Sequence, residues 1–301
     1  MEIIKPDINI PFIGMMRTAG IVSAVLIVVA LAAMVKNGGL IYGIDFAGGS
    51  VVEIKFSEAV EIGKVRDALA RSDLGGSEIK HFGGDDTVLI STELSTGDLK
   101  GIESRVKAAL DEDFASAGYT IQRLEMVGPK VGADLRRKGL QAVIGSCLLI
   151  LIYVTWRFEF KFALGGLLAL VHDIIIALGI FTLLGKTFTL PVLAAVLTIA
   201  GYSINDSIVI FDRIRENIKR GTKKSLPDII NVSINQTLSR TILTSLTVLV
   251  VIMALLLYGG EIIKDFSLIL LIGVIVGTYS SIFIASPTVL VWEGKGIKLR
   301  K

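Results

Sequence analysis

The amino-acid sequence predicts a polytopic α-helical membrane protein with six transmembrane helices and an inserted α+β domain. The 301-residue chain is 52% hydrophobic, and its mean hydropathy of +0.70 is high for a water-soluble domain. A helix needs about 20 apolar residues to cross a hydrocarbon core of about 30 Å. Six stretches meet this requirement, namely 18–35, 139–156, 162–185, 187–211, 241–260 and 266–292.

Basic residues in the short loops predict the orientation, because cytoplasmic loops carry an excess of Lys and Arg. Seven of these residues lie in segment 212–240, whereas the two short loops on the opposite side carry only Lys186 and Lys264. We interpret the first span as a retained helix and not a signal peptide, because five more spans follow it. Both termini are therefore expected in the cytoplasm. The expected parts are 1–35 (N-terminus and first helix), 36–138 (outside domain), 139–292 (five helices) and 293–301 (cytoplasmic tail).

The outside segment has the periodicities of a small α+β domain. Residues 49–57 and 119–128 alternate as strands do. Residues 61–72 and 99–114 have apolar side chains at helical spacing. Two further strand-like runs flank the turn residues 83–86, which indicates a hairpin. The resulting order, β-α-β-β-α-β, predicts a ferredoxin-like domain.

The segment GIDFAGGS (43–50) joins the first helix to this domain. Its glycines invite comparison with phosphate-binding loops, but their spacing fits neither G-x-G-x-x-G nor G-x-x-x-x-G-K-[ST]. We therefore expect the glycines to serve a tight turn and close backbone packing.

Composition argues against several classes of function. The net charge of +3 does not provide the concentrated basic face that nucleic-acid binders use. The one cysteine, Cys147, excludes an intrachain disulfide, and two histidines, His81 and His172, without a Cys/His cluster argue against a zinc site. No nucleophile and base stand together in the pattern of an enzyme, so neither catalysis nor a cofactor is expected.

One carboxylate stands inside the fourth apolar run. Asp206 precedes the next charge, Asp212, by six residues, or about 9 Å of regular helix. A charged side chain at a helix centre costs about 2.5–3.5 kcal/mol and is a functional-site candidate by default. Asn205 lies beside it and, like Thr241 and Thr244 on the next helix, is a candidate secondary relay or packing residue. The sequence therefore indicates a site in the cytoplasmic half of the membrane.

The fifth run offers a partner for this carboxylate. A polar stripe on an otherwise apolar helix is expected to face the other helices and not lipid. Its members are Thr237, Arg240, Thr241, Thr244 and Thr247. Because Arg240 and Asp206 belong near the same leaflet on consecutive helices, we predict that the two form a proton pathway. The alternative is a static ion pair that ties the helices together.

Two further features lie within the spans. His172 and Asp173 fall close to the membrane midplane, about 16–18 Å along the third helix from Lys161. They are either a relay site or a structural hydrogen-bond node. Gly273 and Gly277 form a small-xxx-small motif, which indicates close helix packing.

Five segments together resemble the SecF family, the smaller subunit of the SecD–SecF protein-export complex, related to the RND transporters. The order Asn205-Asp206 followed by Phe211-Asp212-Arg213 is similar to the SecF form of the signature and differs from that of SecD. The resemblance covers nearly the whole chain. The segments are GIDFAGGS (43–50), VGPKVGADLRRKG (127–139), RFEFKFALGGLLALVHDIIIALG (157–179), GYSINDSIVIFDRIREN (201–217) and NQTLSRTILTSLTVL (235–249).

The resemblance implies a partner and an energy source. It implies a six-helix SecD partner, a position beside the SecYEG channel in a prokaryotic cytoplasmic (inner) membrane, and use of the proton-motive force to move preproteins. The family's intramembrane Asp and fifth-helix Arg match Asp206 and Arg240. Two alternatives remain: a small-molecule RND exporter, although aromatic residues make up only 7% of the chain, or a scaffold that transports no protons.

Overall fold

The computed structural model describes residues 8–72, 74–92, 99–114, 118–221 and 224–293. Most of the predicted tail, 293–301, lies outside these residues. The chain forms ten α-helices and four strands in the described part. In order they are α1 (Met16–Lys36), α2 (Ile44–Ala47), β1 (Gly49–Phe56), α3 (Ile62–Ala70), β2 (Glu78–His81), β3 (Thr87–Thr92), α4 (Leu99–Phe114), β4 (Tyr119–Val127), α5 (Pro129–Arg157), α6 (Phe160–Leu183), α7 (Leu190–Lys219), α8 (Leu226–Tyr258), α9 (Gly260–Ser280) and α10 (Ser286–Glu293).

Six helical segments of the described chain are long and apolar enough to cross a membrane, as predicted: α1, α5, α6, α7, α8 and the continuous segment Ile263–Trp292. Several helices extend beyond their apolar runs. Helix α8 begins at Leu226, where the Ser225 hydroxyl caps the helix by accepting from the Asp228 amide, 15 residues before the predicted span. Hydropathy detects the apolar part of a helix, whereas caps determine where it ends.

The inserted domain is one of two compact units, comprising residues 42–140 and 187–190. Its sheet has the strand order β2-β3-β1-β4, and every neighbouring pair is antiparallel. Val52 and Ile54 of β1 pack with Val65 and Leu69 of α3 and Leu110 of α4. This topology confirms the predicted ferredoxin-like arrangement.

The glycines after α2 allow a sharp change of direction. Gly48 has φ +80° and Gly49 has φ +125°, which disfavour residues with a side chain. A Cβ on Gly48 would lie 3.0 Å from the Pro129 Cα. Nearby, the Arg136 guanidinium donates to the Phe46 carbonyl over 3.1 Å. The interpretation of these glycines as turn and packing residues is confirmed.

The second compact unit, called here the membrane unit, comprises residues 1–41, 141–186 and 191–301. In it α1 packs against α6, and a Cβ on Gly179 would lie 2.1 Å from that of Ala30. Ser23 lies seven residues before Ala30 on α1, and His172 lies seven residues before Gly179 on α6. Because Ser23 and His172 are also in contact, the two helices run in the same direction. On α9, a Cβ on Gly273 would lie 2.3 Å from Ile199. This confirms the packing role predicted for the small-xxx-small motif.

The last transmembrane segment is interrupted by one turn of π-helix, Ser281–Ala285, between α9 and α10. The Ser286 hydroxyl donates to the Ser281 carbonyl five residues earlier, over 2.8 Å. Such turns occur mostly as single bulges inside α-helices and often lie at functional sites. Ser280, the residue before this turn, belongs to the polar cluster described below.

Candidate functional site

Asp206 lies on α7 with 2% of its surface exposed. Ser203 and Ser207, on the same side of the helix, are also buried. The Asp206 Oδ2 atom has no hydrogen-bond partner among the described residues, and no ion pair within 4.0 Å includes it there. The carboxylate predicted from the sequence is therefore inside the bundle, and its surroundings leave it incompletely satisfied.

Two hydrogen-bonded ties join α7 to α8 on either side of Asp206. On one side the Tyr202 hydroxyl donates to the Ser245 hydroxyl over 2.9 Å. On the other the Asn217 side chain donates to the Ser233 hydroxyl over 2.8 Å. The antiparallel register between these ties places Asp206 opposite the middle of the α8 polar stripe.

The predicted stripe on α8 is divided between two faces. Thr237 and Thr241 are buried, whereas Arg240 and Thr247 are exposed on this chain and Thr244 is half-buried. The expectation that all five face the other helices of this chain was wrong. Consecutive residues differ by about 100° around a helix, and the packing of α8 buries Thr241 while Arg240 lies on the exposed side.

Arg240 does not form a close pair with Asp206. Among the described residues, no contact within 4.0 Å joins the Arg240 guanidinium to the Asp206 carboxylate. The Thr241 hydroxyl is buried without a partner among the described residues, and so is that of Ser207. Three buried oxygen atoms without a hydrogen-bond partner among the described residues, the Asp206 Oδ2 and the hydroxyls of Ser207 and Thr241, thus lie between the two ties that flank Asp206.

The pair His172–Asp173 has partners on three other helices. The His172 Nδ1 lies 2.9 Å from the Asp173 Oδ1. The Asp173 Oδ2 accepts from the Ser203 hydroxyl over 2.5 Å and from that of Ser280 over 2.7 Å. The His172 Nε2 lies 3.1 Å from the Ser23 Oγ. This network joins α1, α6, α7 and α9.

Sequence reasoning did not identify Ser23 and Ser280 of this network, nor Ser245 and Thr278, whose hydroxyls lie 2.8 Å apart on α8 and α9. Serine is common in transmembrane helices, so its type alone is no signal. Asn205, predicted as a secondary site residue, is exposed on α7 of this chain. Ser203, which donates to Asp173, lies one helical turn before Asp206 on α7. Asp173 and Asp206 are therefore connected indirectly, through this helix.

Comparison with known families and proteins gives a consistent result. Residues 106–295 match the family model described as protein export membrane protein SecD/SecF, C-terminal, and residues 37–60 match the SecD/SecF GG motif. The chain is 46% identical to the protein translocase subunit SecF of Desulfurispirillum indicum, over 96% of this chain and 93% of that protein. It is 44% identical to the subunit of the same name from Calditerrivibrio nitroreducens, over 96% of both.

Two solved structures share the fold. The crystal structure of SecDF from Thermus thermophilus, titled a translocon-associated membrane protein, matches with a TM-score of 0.86 at 38% identity. A structure of SecDF in a super-membrane-facing form matches with a TM-score of 0.70, also at 38% identity. These matches cover 97% and 98% of this chain and 40% of each SecDF chain, so this chain spans less than half of those proteins.

Proposed function

Because the chain belongs to the SecF family of protein translocase subunits, we propose that it is a protein-export subunit that couples the proton-motive force to preprotein movement through the SecYEG translocon. The observation that carries the proton-coupling part is Asp206, a buried carboxylate whose Oδ2 lacks a hydrogen-bond partner among the described residues. A buried polar atom without a partner is costly and calls for a functional explanation.

A SecD subunit is the proposed partner inside the membrane. The exposed line along α7 includes Thr198, Gly201 and Asn205, and Arg240 is exposed on α8. Hydrocarbon provides no hydrogen bonds to the Asn205 amide or the Arg240 guanidinium, so another protein surface is the favourable neighbour. SecDF, of which this chain matches 40%, has the additional length that such a partner requires.

Asp206 is proposed to take up and release protons as the membrane potential drives them inward. One elementary charge crossing 100 mV supplies about 2.3 kcal/mol, which is enough to shift a conformational equilibrium about 50-fold. Protonation removes the charge of Asp206, so its attraction to the Arg240 guanidinium changes with each cycle. Thr241, Thr244 and Asn205 line or flank this path as secondary polar groups.

The placement of Lys and Arg supports a multi-pass protein in a prokaryotic cytoplasmic (inner) membrane with both termini inside. In this orientation residues 36–138 lie outside, where the ferredoxin-like domain would meet or move with the emerging preprotein. The membrane helices would then transmit the protonation of Asp206 to that side.

The direct test is preprotein export by the reconstituted complex of this chain with SecD and SecYEG. Asp206→Asn keeps the size of the side chain and removes its ability to release a proton. We expect the variant to lose the acceleration that the proton-motive force gives, while Asp212→Asn, an exposed residue six positions later, keeps it. An Asp206→Asn complex that assembles and still responds fully to the proton-motive force would contradict the proposal.

Exchanging the charged residues Asp206 and Arg240 distinguishes proton transport from a static ion pair. If Asp206 and Arg240 only tie two helices together, Asp206→Arg combined with Arg240→Asp restores export. A proton pathway predicts no rescue, because the exchanged carboxylate lies at the exposed position on α8. Export restored by the exchange would favour the scaffold function.

A further inference from the structure

The polar cluster around His172 extends to the first helix. The Ser23 Oγ lies 3.1 Å from the His172 Nε2 and 3.0 Å from the Tyr279 Oη. The Tyr279 hydroxyl in turn lies 2.7 Å from the Ala19 carbonyl oxygen. A continuous row of four contacts therefore runs from the Asp173 carboxylate, through His172, Ser23 and Tyr279, to a backbone carbonyl on α1.

We propose that His172 and Asp173 form a second proton-binding site of the membrane unit, which holds one proton as an imidazolium–carboxylate pair and thereby ties α1 to α9. The ligand of this site is a proton. The site is separate from Asp206, and the proposal does not depend on proton transport by Asp206 or on a role in export.

A count of hydrogens along the row supports the added proton. Both ends of the row, the Asp173 carboxylate and the Ala19 carbonyl, are acceptors only. With a neutral imidazole, His172, Ser23 and Tyr279 supply one hydrogen each, so three hydrogens must serve four contacts. An imidazolium supplies two, and each contact then has one donor and one acceptor.

The direction of each bond follows from this count. The imidazolium Nδ1–H donates to Asp173 and its Nε2–H donates to Ser23. The Ser23 hydroxyl then donates to Tyr279, and the Tyr279 hydroxyl donates to the Ala19 carbonyl. Without the added proton one of the four short contacts would bring two lone pairs together.

Charge leads to the same conclusion. Asp173 is fully buried and His172 is 5% exposed. With a neutral ring the pair would carry one uncompensated negative charge at this depth, which is costly. The neighbours of the Asp173 Oδ2, Ser203 and Ser280, are neutral donors that stabilise a carboxylate without balancing its charge. One proton on the ring makes the pair neutral overall.

Other ionisable groups on the surrounding helices do not replace this proton. On α1 the charged residues are Arg17 and Lys36, near its two ends. Helix α7 contributes Asp206, one turn beyond Ser203, which adds negative charge. Helix α9 contributes Tyr279, which is part of the row itself. Within the part of the chain that the structure describes, no Lys or Arg forms an ion pair with Asp173.

The bound proton would act on helix packing. Ser23 belongs to α1 and Tyr279 to α9, and their hydroxyls lie 3.0 Å apart. The ring of Tyr279 also stacks on that of His172, with centroids 6.2 Å apart. Loss of the proton would break one contact of the row and loosen α1 from α9.

Nitrogen NMR of the full chain in lipid vesicles tests this site, because the sequence has only two histidines. In a His81→Gln background, a ¹⁵N-histidine label reports on His172 alone. We expect two protonated ring nitrogens at neutral pH, the signature of an imidazolium. A ring with one protonated and one unprotonated nitrogen throughout the pH range between 5 and 8 would overturn the proposal.

A tyrosine substitution provides the second measurement. Tyr279→Phe removes two contacts and one hydrogen, so a neutral His172 satisfies the remaining row. We expect the proton to bind roughly tenfold more weakly, since one hydrogen bond to a charged group is worth about 1.5–3 kcal/mol. Tyr153→Phe, on the exposed side of α5, is the matched control and should leave the signal unchanged. Equal proton affinity in both variants would show that the row does not hold the proton.

Discussion

Two carboxylates are buried in the same membrane unit, and their surroundings differ sharply. Asp173 is fully buried, and its two oxygens contact a histidine and two serines. Asp206 is 2% exposed, and its Oδ2 has no hydrogen-bond partner among the described residues. Three contacts hold the carboxylate of Asp173 in place, whereas no hydrogen bond from the described residues holds the Asp206 Oδ2.

On this basis we propose that Asp173 holds neighbouring helices together and that Asp206 changes its protonation state. Ser203 donates to Asp173 and lies one helical turn before Asp206, so α7 is anchored beside the residue that we expect to change state. An anchored helix can present Asp206 reproducibly to α8, and the two ties through Tyr202 and Asn217 preserve that register. The predictions below test this division, beginning with the largest effect.

Replacement of each carboxylate by alanine should change stability by different amounts. Asp173→Ala leaves a buried histidine and two serines without their acceptor, and we expect a loss of about 3 kcal/mol in stability. Asp206→Ala removes a group without a partner on Oδ2, and we expect a change below about 1 kcal/mol. Thermal unfolding of the two variants in detergent measures this difference. Equal losses would remove the basis of the comparison.

A Gly→Ala substitution beside Asp173 should lower the stability of the protein more than the same substitution on the exposed face of α7. A Cβ on Gly277 would lie 3.3 Å from the Ser203 Cβ and 3.5 Å from the Asp173 Oδ2. We expect Gly277→Ala to destabilise the protein by about 1–2 kcal/mol. Gly201→Ala is the control, because no heavy atom lies within 4 Å of its added Cβ. If both variants unfold at the wild-type temperature, the packing around Asp173 is looser than described.

Loss of one tie beside Asp206 should have a smaller effect. Tyr202→Phe removes the hydrogen bond to Ser245 and keeps the ring. Hydrogen bonds between membrane helices contribute about 0.6 kcal/mol on average, and we expect a loss of that size in unfolding experiments. A loss larger than that of Gly277→Ala would indicate that the Asp206 side of the bundle is the more firmly held.

The inserted domain contains a tyrosine, Tyr119, that provides a reference titration. Of the changes predicted here, its effect is expected to be the smallest. Burial, followed by the hydrogen bond to Asp111, raises the pKa of Tyr119 to about 12 from 10.0. Because the folded state holds this proton more tightly, its contribution to stability is complete below pH 10 and is lost as the pH rises towards 12. Tyrosinate absorbance of the full chain should therefore lose one step near pH 12 in Tyr119→Phe. An unchanged titration curve would contradict the assignment.

The sequence was sufficient to predict the fold and the position of Asp206 inside the membrane unit, and the reasons are physical. Six long apolar runs and the β-α-β-β-α-β periodicity lead directly to the observed architecture. An ionisable residue inside an apolar run is conspicuous because its burial is costly. Gly273 and Gly277 were also interpreted correctly as packing residues, since a missing side chain permits close approach.

The rest of the site depends on helix rotation and packing, which local sequence does not determine. Helical spacing groups Arg240 with Thr241, but only the packed bundle shows that one is exposed and the other buried. Ser23 and Ser280 reach the His172–Asp173 pair from positions 149 and 107 residues away from their partners in the chain. The π-helical turn that follows Ser280 has no recognisable sequence signal of its own.

The central claim is that Asp206 carries protons while Asp173 remains an anchor. Proton flux into vesicles that contain this chain with SecD, under an imposed membrane potential, tests it most directly. We predict that Asp206→Asn reduces the flux to that of protein-free vesicles, whereas Asp212→Asn, in the same preparation, leaves it unchanged. Undiminished flux through a correctly assembled Asp206→Asn complex would contradict this account.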